Sequence, residues 1–383
     1  MIARRGDRIP PFIVMEVLEK ALQMGRDGHD VIHMEVGEPD FDTPLCIKEA
    51  AYRAMLEGET HYTHSLGLHD LREAISLHYL EKYNASVDPE RIIVTSGSSP
   101  AMLLLFAALL DPSDEVIMSD PCYACYPNIV DFVDGQPVEI LVYEEDGFQY
   151  RPRDIEKCLG SRTRAIIINS PSNPTGNLLE PEVMEEIAAF SRQGLYVVSD
   201  EIYHGLVYES REHSILEFTD HAFVLGGFSK LYAMTGWRLG YLIAPEEYVR
   251  PIQKIQQNLF ISANAFVQRA GIAALTEAGE EVQAMVRTYD ERRRFLLPRL
   301  RELGFGVAVE PHGAFYILAN ARQYTGDSYS FAMELLEKAH VAVTPGIDFG
   351  KGGEGYIRFS YANHLDGLAE GTRRLGEYLS TRK

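Results

Sequence analysis

The sequence is short of cysteine, of long apolar runs and of positive charge. Four cysteines in 383 residues are too sparse for a disulfide framework and suit a reducing compartment, the cytoplasm. Cys122 and Cys125 form a C-x-x-C, but Cys46 and Cys158 stand alone, so no second pair completes a zinc site. No apolar run reaches the roughly 18 residues of a membrane span, and the stretch Met1–Asp7 does not lead into a signal-peptide core. Lys and Arg number 36 against 56 Asp and Glu, a net charge of −20. That balance disfavours nucleic acid and anionic membranes as partners. Neither a phosphate loop ending in Gly-Lys-Ser/Thr nor a G-x-G-x-x-G is found, nor any internal repeat or low-complexity segment.

What is present is the composition of an ordinary globular protein, 46% hydrophobic and 24% charged, in a chain longer than one core usually fills. A large and a small domain are expected. Helical spacing over residues 10–30 precedes a short strand at 31–36, which runs into the turn Gly37–Pro44. Helices follow at 45–57 and 68–83. Apolar strands then alternate with helices, at 91–95, 115–119, 138–143, 165–169, 195–199 and 222–226, with a helix from Ala101 to Leu110 after the first. Near-continuous apolar strands between helices mark a parallel sheet buried on both faces, and 239–244 reads as an antiparallel addition. The expected class is α/β. Residues 45–285 would form a large domain with a mainly parallel seven-stranded sheet, and residues 1–44 with 286–383 a smaller α+β domain. The run Arg292-Arg293-Arg294, in a charged helix over 282–303, reads as a solvated face.

Ligands of parallel sheets bind beyond the carboxyl ends of the strands, so the residues that follow each strand are the candidates. After 91–95 come Gly97, Ser98 and Ser99 at a helix start, where free N–H groups and hydroxyls suit a phosphate. After 115–119 comes Tyr123, a ring to stack. After 165–169 comes Asn173 in a proline-bounded turn, and after 195–199 come Asp200 and Tyr203. After 222–226 a double glycine leads to Lys230, a lysine among apolar residues, and Arg238 lies eight residues further on. Apolar surroundings favour the neutral amine that carbonyl condensation needs, and an arginine can hold a phosphate through its fork of donors. Amine, acid, phenol, amide, ring and phosphate cradle together describe a receptor for pyridoxal 5′-phosphate (PLP), whose protonated ring nitrogen would pair with Asp200 and make the ring an electron sink.

With these motifs the chain resembles the class I/II aminotransferases, fold type I PLP enzymes, of the aspartate and aromatic aminotransferase branch. The matching stretches are Gly37–Phe41, Ser170–Gly176, Ser199–Tyr203, Phe228–Lys230 through Gly236–Tyr241, and Ile357–Ser360, in family order across nearly the whole chain. The resemblance implies transfer of an α-amino group between an amino acid and a 2-oxo acid. Lys230 would form the Schiff base and shuttle the proton. Asp200 would pair with the ring nitrogen, Tyr203 and Asn173 with the ring oxygen, and Tyr123 would stack on the ring. Gly97, Ser98, Ser99 and Arg238 would hold the phosphate. Arg358 would clamp the substrate carboxylate with Asn173 and the Gly37 backbone. Tyr62 would reach the phosphate of a neighbouring subunit, which implies a homodimer with shared sites. Two positions depart from the family. Gly227 stands where a hydroxyl residue is common, and no arginine lies between Arg250 and Arg269, where the aspartate enzymes place their distal-carboxylate ligand. Aspartate specificity is therefore not carried over, and another basic group such as His64 would have to serve. Rival readings are a β-eliminating lyase of the same fold and a non-catalytic aminotransferase-like regulatory module.

Overall fold

The computed structural model describes residues 2–382. The chain enters through the helix Ile13–Arg26 and a two-residue strand, β1 (Ile32–His33). Helices Leu45–Leu56 and His69–Tyr83 follow, the second closing on Asn84 in the left-handed conformation that asparagine tolerates (φ 55°). Seven strands then build the main sheet. They are β2 (Ile92–Thr95), β3 (Glu115–Asp120), β4 (Gln136–Leu141), β5 (Thr163–Asn169), β6 (Tyr196–Asp200), β7 (Ala222–Gly227) and β8 (Gly240–Ile243). Their order is β2-β8-β7-β6-β5-β3-β4, parallel except for β8, which runs against both β2 and β7. The antiparallel addition is thus an interior strand.

Both faces of the sheet are covered, and the strand period shows it. Ile92, Val94, Ile166, Ile168 and Val197 point into a core shared with helices Leu45–Leu56, His69–Tyr83 and Ala265–Thr276. Their neighbours Ile93, Ala165, Ile167 and Val198 point into a second core, filled by Met102, Leu105 and Phe106 of the helix Ser98–Leu109. Burial on both faces is why these strands read as continuous apolar runs.

A smaller antiparallel sheet, order β11-β12-β9, joins β9 (Tyr316–Asn320), β11 (Thr344–Pro345) and β12 (Tyr356–Ser360); β10 (Val341–Ala342) pairs with β1. Helices Gly279–Glu302, Ser328–Ala339 and Leu365–Thr381 enclose it. Its core of Tyr289, Leu296, Phe305, Phe315, Phe331 and Phe359 also takes in Ile202, Tyr203 and Tyr208, which follow β6.

Three expectations need correction. The helix expected from Ala101 begins at Ser98, so both serines lie in its first turn. The strands expected at 31–36 and 138–143 occupy 32–33 and 136–141. The arginine run is not a solvated face, because Arg292 and Arg293 are only 3% and 2% exposed. Successive residues on a helix point about 100° apart, so a run cannot share one face. Arg292 makes a bidentate pair with Asp40 (2.6 and 2.9 Å) and Arg293 bonds Glu209 and Asp290 (both 2.8 Å). Only Arg294 lies outside. The first of these pairs ties the Gly37–Pro44 turn to the long helix.

Candidate active site

The carboxyl ends of β5, β6 and β7 open into a cavity of about 220 Å³, walled on other sides by Phe12, Val14, Met15, Val36, Tyr316 and Arg358. Lys230 lines it, three residues past the double glycine that ends β7. A side chain at Gly226 would strike the Tyr241 ring of the neighbouring antiparallel strand at 2.2 Å. One at Gly227 would meet the end of the Ile202 side chain at 2.9 Å and the Leu239 carbonyl at 3.3 Å, a tight fit beside the neighbouring strand. The Lys230 amine donates to the Gly37 carbonyl at 2.6 Å. Burial draws it down from its ordinary 10.5 to about 8, against the pull of Glu38.

Asp200 closes β6 and is 4% exposed. Its carboxylate accepts from the Tyr126 hydroxyl (2.7 Å) and the Ile202 N–H (3.2 Å). Burial raises its pKa to about 6, while those donors hold it back from going higher. Tyr126 was not foreseen, although it stands three residues after Tyr123, in the first turn of the helix Cys125–Phe132. The adjacent Glu201 points to the opposite face by strand alternation. There it accepts from Tyr79 (3.0 Å), Ser199 (3.0 Å), Ser214 (2.9 Å) and the Ile215 N–H (3.1 Å), away from the cavity.

Arg358, on β12, donates to Asn173 Oδ1 (2.8 Å), the Glu35 carbonyl (2.6 Å) and Thr344 Oγ1 (3.1 Å), while its Nε has no partner among the described residues. Its guanidinium lies over the rings of Tyr316 and Phe349, 4.3 and 4.8 Å from their centroids. Accepting from Arg358 fixes the Asn173 amide so that its NH₂ remains to donate. The Tyr203 hydroxyl lies 2.9 Å from that of Tyr316.

Ser98 and Ser99 line the cavity at the N-terminus of the twelve-residue helix Ser98–Leu109. Gly97 precedes them at φ 104°, and a Cβ there would fall 2.5 Å from Arg238 Nη2, so glycine lets the guanidinium close on the helix start. Arg238 is itself exposed and donates to the Thr235 carbonyl at 2.7 Å. Tyr123 also lines the cavity, its ring edge-on to Phe12 and Tyr126. Tyr62, 80% exposed, and His64, also exposed, lie outside it in the single chain. Lys230 and Arg358 are the only cationic side chains lining the cavity among the described residues. Its apolar wall of Phe12, Val14, Met15 and Val36 carried no signal in the sequence beyond an ordinary amphipathic pattern.

The arrangement can condense an amine with a carbonyl compound, hold a carboxylate on Arg358 and offer a buried anion to a ring nitrogen. The chain is similar to known proteins over nearly their whole length. A transaminase of (5-formylfuran-3-yl)methyl phosphate from Methanocaldococcus jannaschii is 41% identical over 385 residues, 99% of this chain and 100% of that protein. An aspartate aminotransferase of Pyrococcus horikoshii is 38% identical over 100% of this chain and 98% of its own. The solved structure of the Thermus thermophilus aspartate aminotransferase with maleate superposes with a TM-score of 0.95 at 37% identity, covering 98% of this chain and 99% of that one. The family model for aminotransferases of class I and II matches residues 29–370, and the chain belongs to that family.

Proposed function

We propose that this aminotransferase uses PLP, bound across the cavity described above, to move an α-amino group between an amino acid and a 2-oxo acid. The observation that carries the reading is the meeting, in one cavity, of an amine that burial pushes toward neutrality and a buried carboxylate that makes no direct ion pair among the described residues. Such a carboxylate calls for a cation, which a protonated ring nitrogen supplies. The residues therefore fit the cofactor. Bound there, PLP supplies an electrophilic aldehyde and a ring that draws electrons from the substrate Cα.

The chain's own groups do the rest. Lys230 Nζ would hold the cofactor by its aldehyde carbon, and the same amine is placed to carry a proton to and from the substrate Cα. Asp200 keeps the ring nitrogen protonated, and Tyr126 holds that carboxylate in place. Asn173 Nδ2 and Tyr203 donate to the ring oxygen. Gly97, Ser98, Ser99 and Arg238 receive the phosphate, and Tyr123 covers the ring. Arg358 takes the substrate α-carboxylate in its fork, its rotamer held by Glu35, Thr344 and Asn173. That grip orients Cα so that a proton rather than the carboxyl group leaves. The relatives named above are all transaminases, which favours transfer over elimination or a regulatory role.

The test is direct. Purified protein with PLP, an amino donor from a panel and 2-oxoglutarate, pyruvate or oxaloacetate should form the amino acid of the acceptor. Failure with every pair refutes transfer, and ammonia release without an acceptor would mark elimination instead. A second expected result concerns pH. Only the neutral amine attacks the aldehyde, so the rate at which cofactor-free protein takes up PLP rises about tenfold per pH unit below 8 and levels off above it. A rate flat between pH 6 and 8, followed by chromophore appearance, contradicts a buried amine of that pKa.

A homodimer with Tyr62 reaching the partner's phosphate is part of this proposal. Leu45, Tyr52, Leu56 and Leu259 are more than half exposed, an apolar surface that a second copy would cover. Sedimentation at the mass of a single chain would refute it. Four free thiols are consistent with the cytoplasm as the site of action.

A further inference from the structure

Tyr316 stands where three parts of the site meet. Its hydroxyl lies 2.9 Å from that of Tyr203, its ring carries the Arg358 guanidinium at 4.3 Å, and a first side-chain carbon at Gly37 would fall 2.0 Å from its oxygen. The residue is 1% exposed, so its ring is packed on all sides, and its backbone is held in register with β12, Tyr316 opposite Ser360 and Leu318 opposite Arg358.

Two phenols that share one hydrogen bond own two protons and use one. Burial pushes both phenols up, so both keep their protons at neutral pH. If Tyr203 donated to Tyr316, it would have no proton left for an acceptor in the cavity. If Tyr316 donates, the Tyr203 O–H is free. The guanidinium, stacked on the Tyr316 ring, favours the second arrangement, since a cation on the ring face withdraws density and makes that O–H the better donor. A hydrogen bond accepted by Tyr203 in turn strengthens the one it gives.

We propose that Tyr316 is a positioning residue that directs a two-phenol chain, from its own O–H to Tyr203 and from Tyr203 to the ring oxygen of the bound cofactor, and so lowers the electron density on that oxygen. The inference rests on the reading that PLP binds at Lys230. It links the carboxylate-binding arginine to the electronics of the cofactor by way of the Tyr203 hydroxyl, which the Tyr316 hydroxyl faces at 2.9 Å.

The test is a spectrophotometric pH titration of the PLP-loaded protein without substrate, following the chromophore that Lys230 forms with the cofactor. An oxygen relieved of part of its donor holds the neighbouring proton more tightly. Tyr316→Phe should therefore raise the midpoint, by about half a pH unit, a fraction of one neutral hydrogen bond. Tyr203→Phe should raise it further, and adding Tyr316→Phe to Tyr203→Phe should change nothing more. An unchanged midpoint in Tyr316→Phe overturns the proposal, and so does an equal shift in the Tyr203→Phe background. A rise in KM at constant midpoint also overturns it, because the ring would then serve Arg358 alone. Loss of the cofactor from Tyr316→Phe counts against it too, since a hydroxyl acting through Tyr203 tunes the chromophore without holding it. Absence of any chromophore in the unaltered protein would instead refute cofactor binding at Lys230.

Discussion

Lys230→Ala is expected to leave a folded protein that forms no covalent link with PLP and turns over at least about 10⁴-fold more slowly. The size follows from two losses. The amine that binds the aldehyde is gone, and so is the group placed to carry a proton to and from the substrate Cα. The structural cost is small, because Lys230 makes one hydrogen bond, to the Gly37 carbonyl, and truncation removes a burdened amine from an apolar setting. The expected signature is therefore an unchanged fold with a missing chromophore, read by absorbance and by the mass of the borohydride-reduced protein. A variant that retains both the chromophore and turnover would place the nucleophile elsewhere.

Arg358→Lys is the second large effect expected, a fall in kcat/KM of about 10²- to 10³-fold. The charge survives, but a lysine cannot donate at once to Asn173, Glu35 and Thr344 while presenting a fork to a carboxylate. The loss should be similar for every amino acid tested, since all share the α-carboxylate. A loss confined to acidic substrates would mean that Arg358 reads the side chain instead. Arg358→Ala should cost stability as well, because Asn173 Oδ1 would remain buried without its donor. A lowered unfolding temperature in the alanine variant, restored in part by lysine, separates the two effects.

The contrast between Asp200 and Tyr126 shows how far a sequence can be read. Asp200 was legible because it ends an apolar strand, and strand ends in a parallel sheet are where ligands sit. Tyr126 holds its carboxylate from the helix that follows a different strand, β3, and no local pattern says that the two meet. Arg292 makes the same point from the failed side. A run of arginines has the composition of a surface, and only the packed helix shows two of them turned inward, one onto Asp40. The seven-stranded sheet was legible as well, because burial on both faces leaves unbroken apolar runs. That β8 lies between β2 and β7 was not, since pairing order is absent from any single strand's composition.

The sequence by itself determined which groups stand at or beyond the strand ends: an amine after β7, an acid at the end of β6 and a phenol after it, an amide after β5, and small residues at a helix start after β2. Those positions are set by local geometry, which the chain encodes within a few residues. The tertiary structure alone decided the supporting contacts, among them Tyr316 on Tyr203, Thr344 and Glu35 on Arg358, and the apolar wall from the first helix. They join segments far apart in the chain, and such contacts depend on how whole elements pack rather than on any residue's neighbours in sequence.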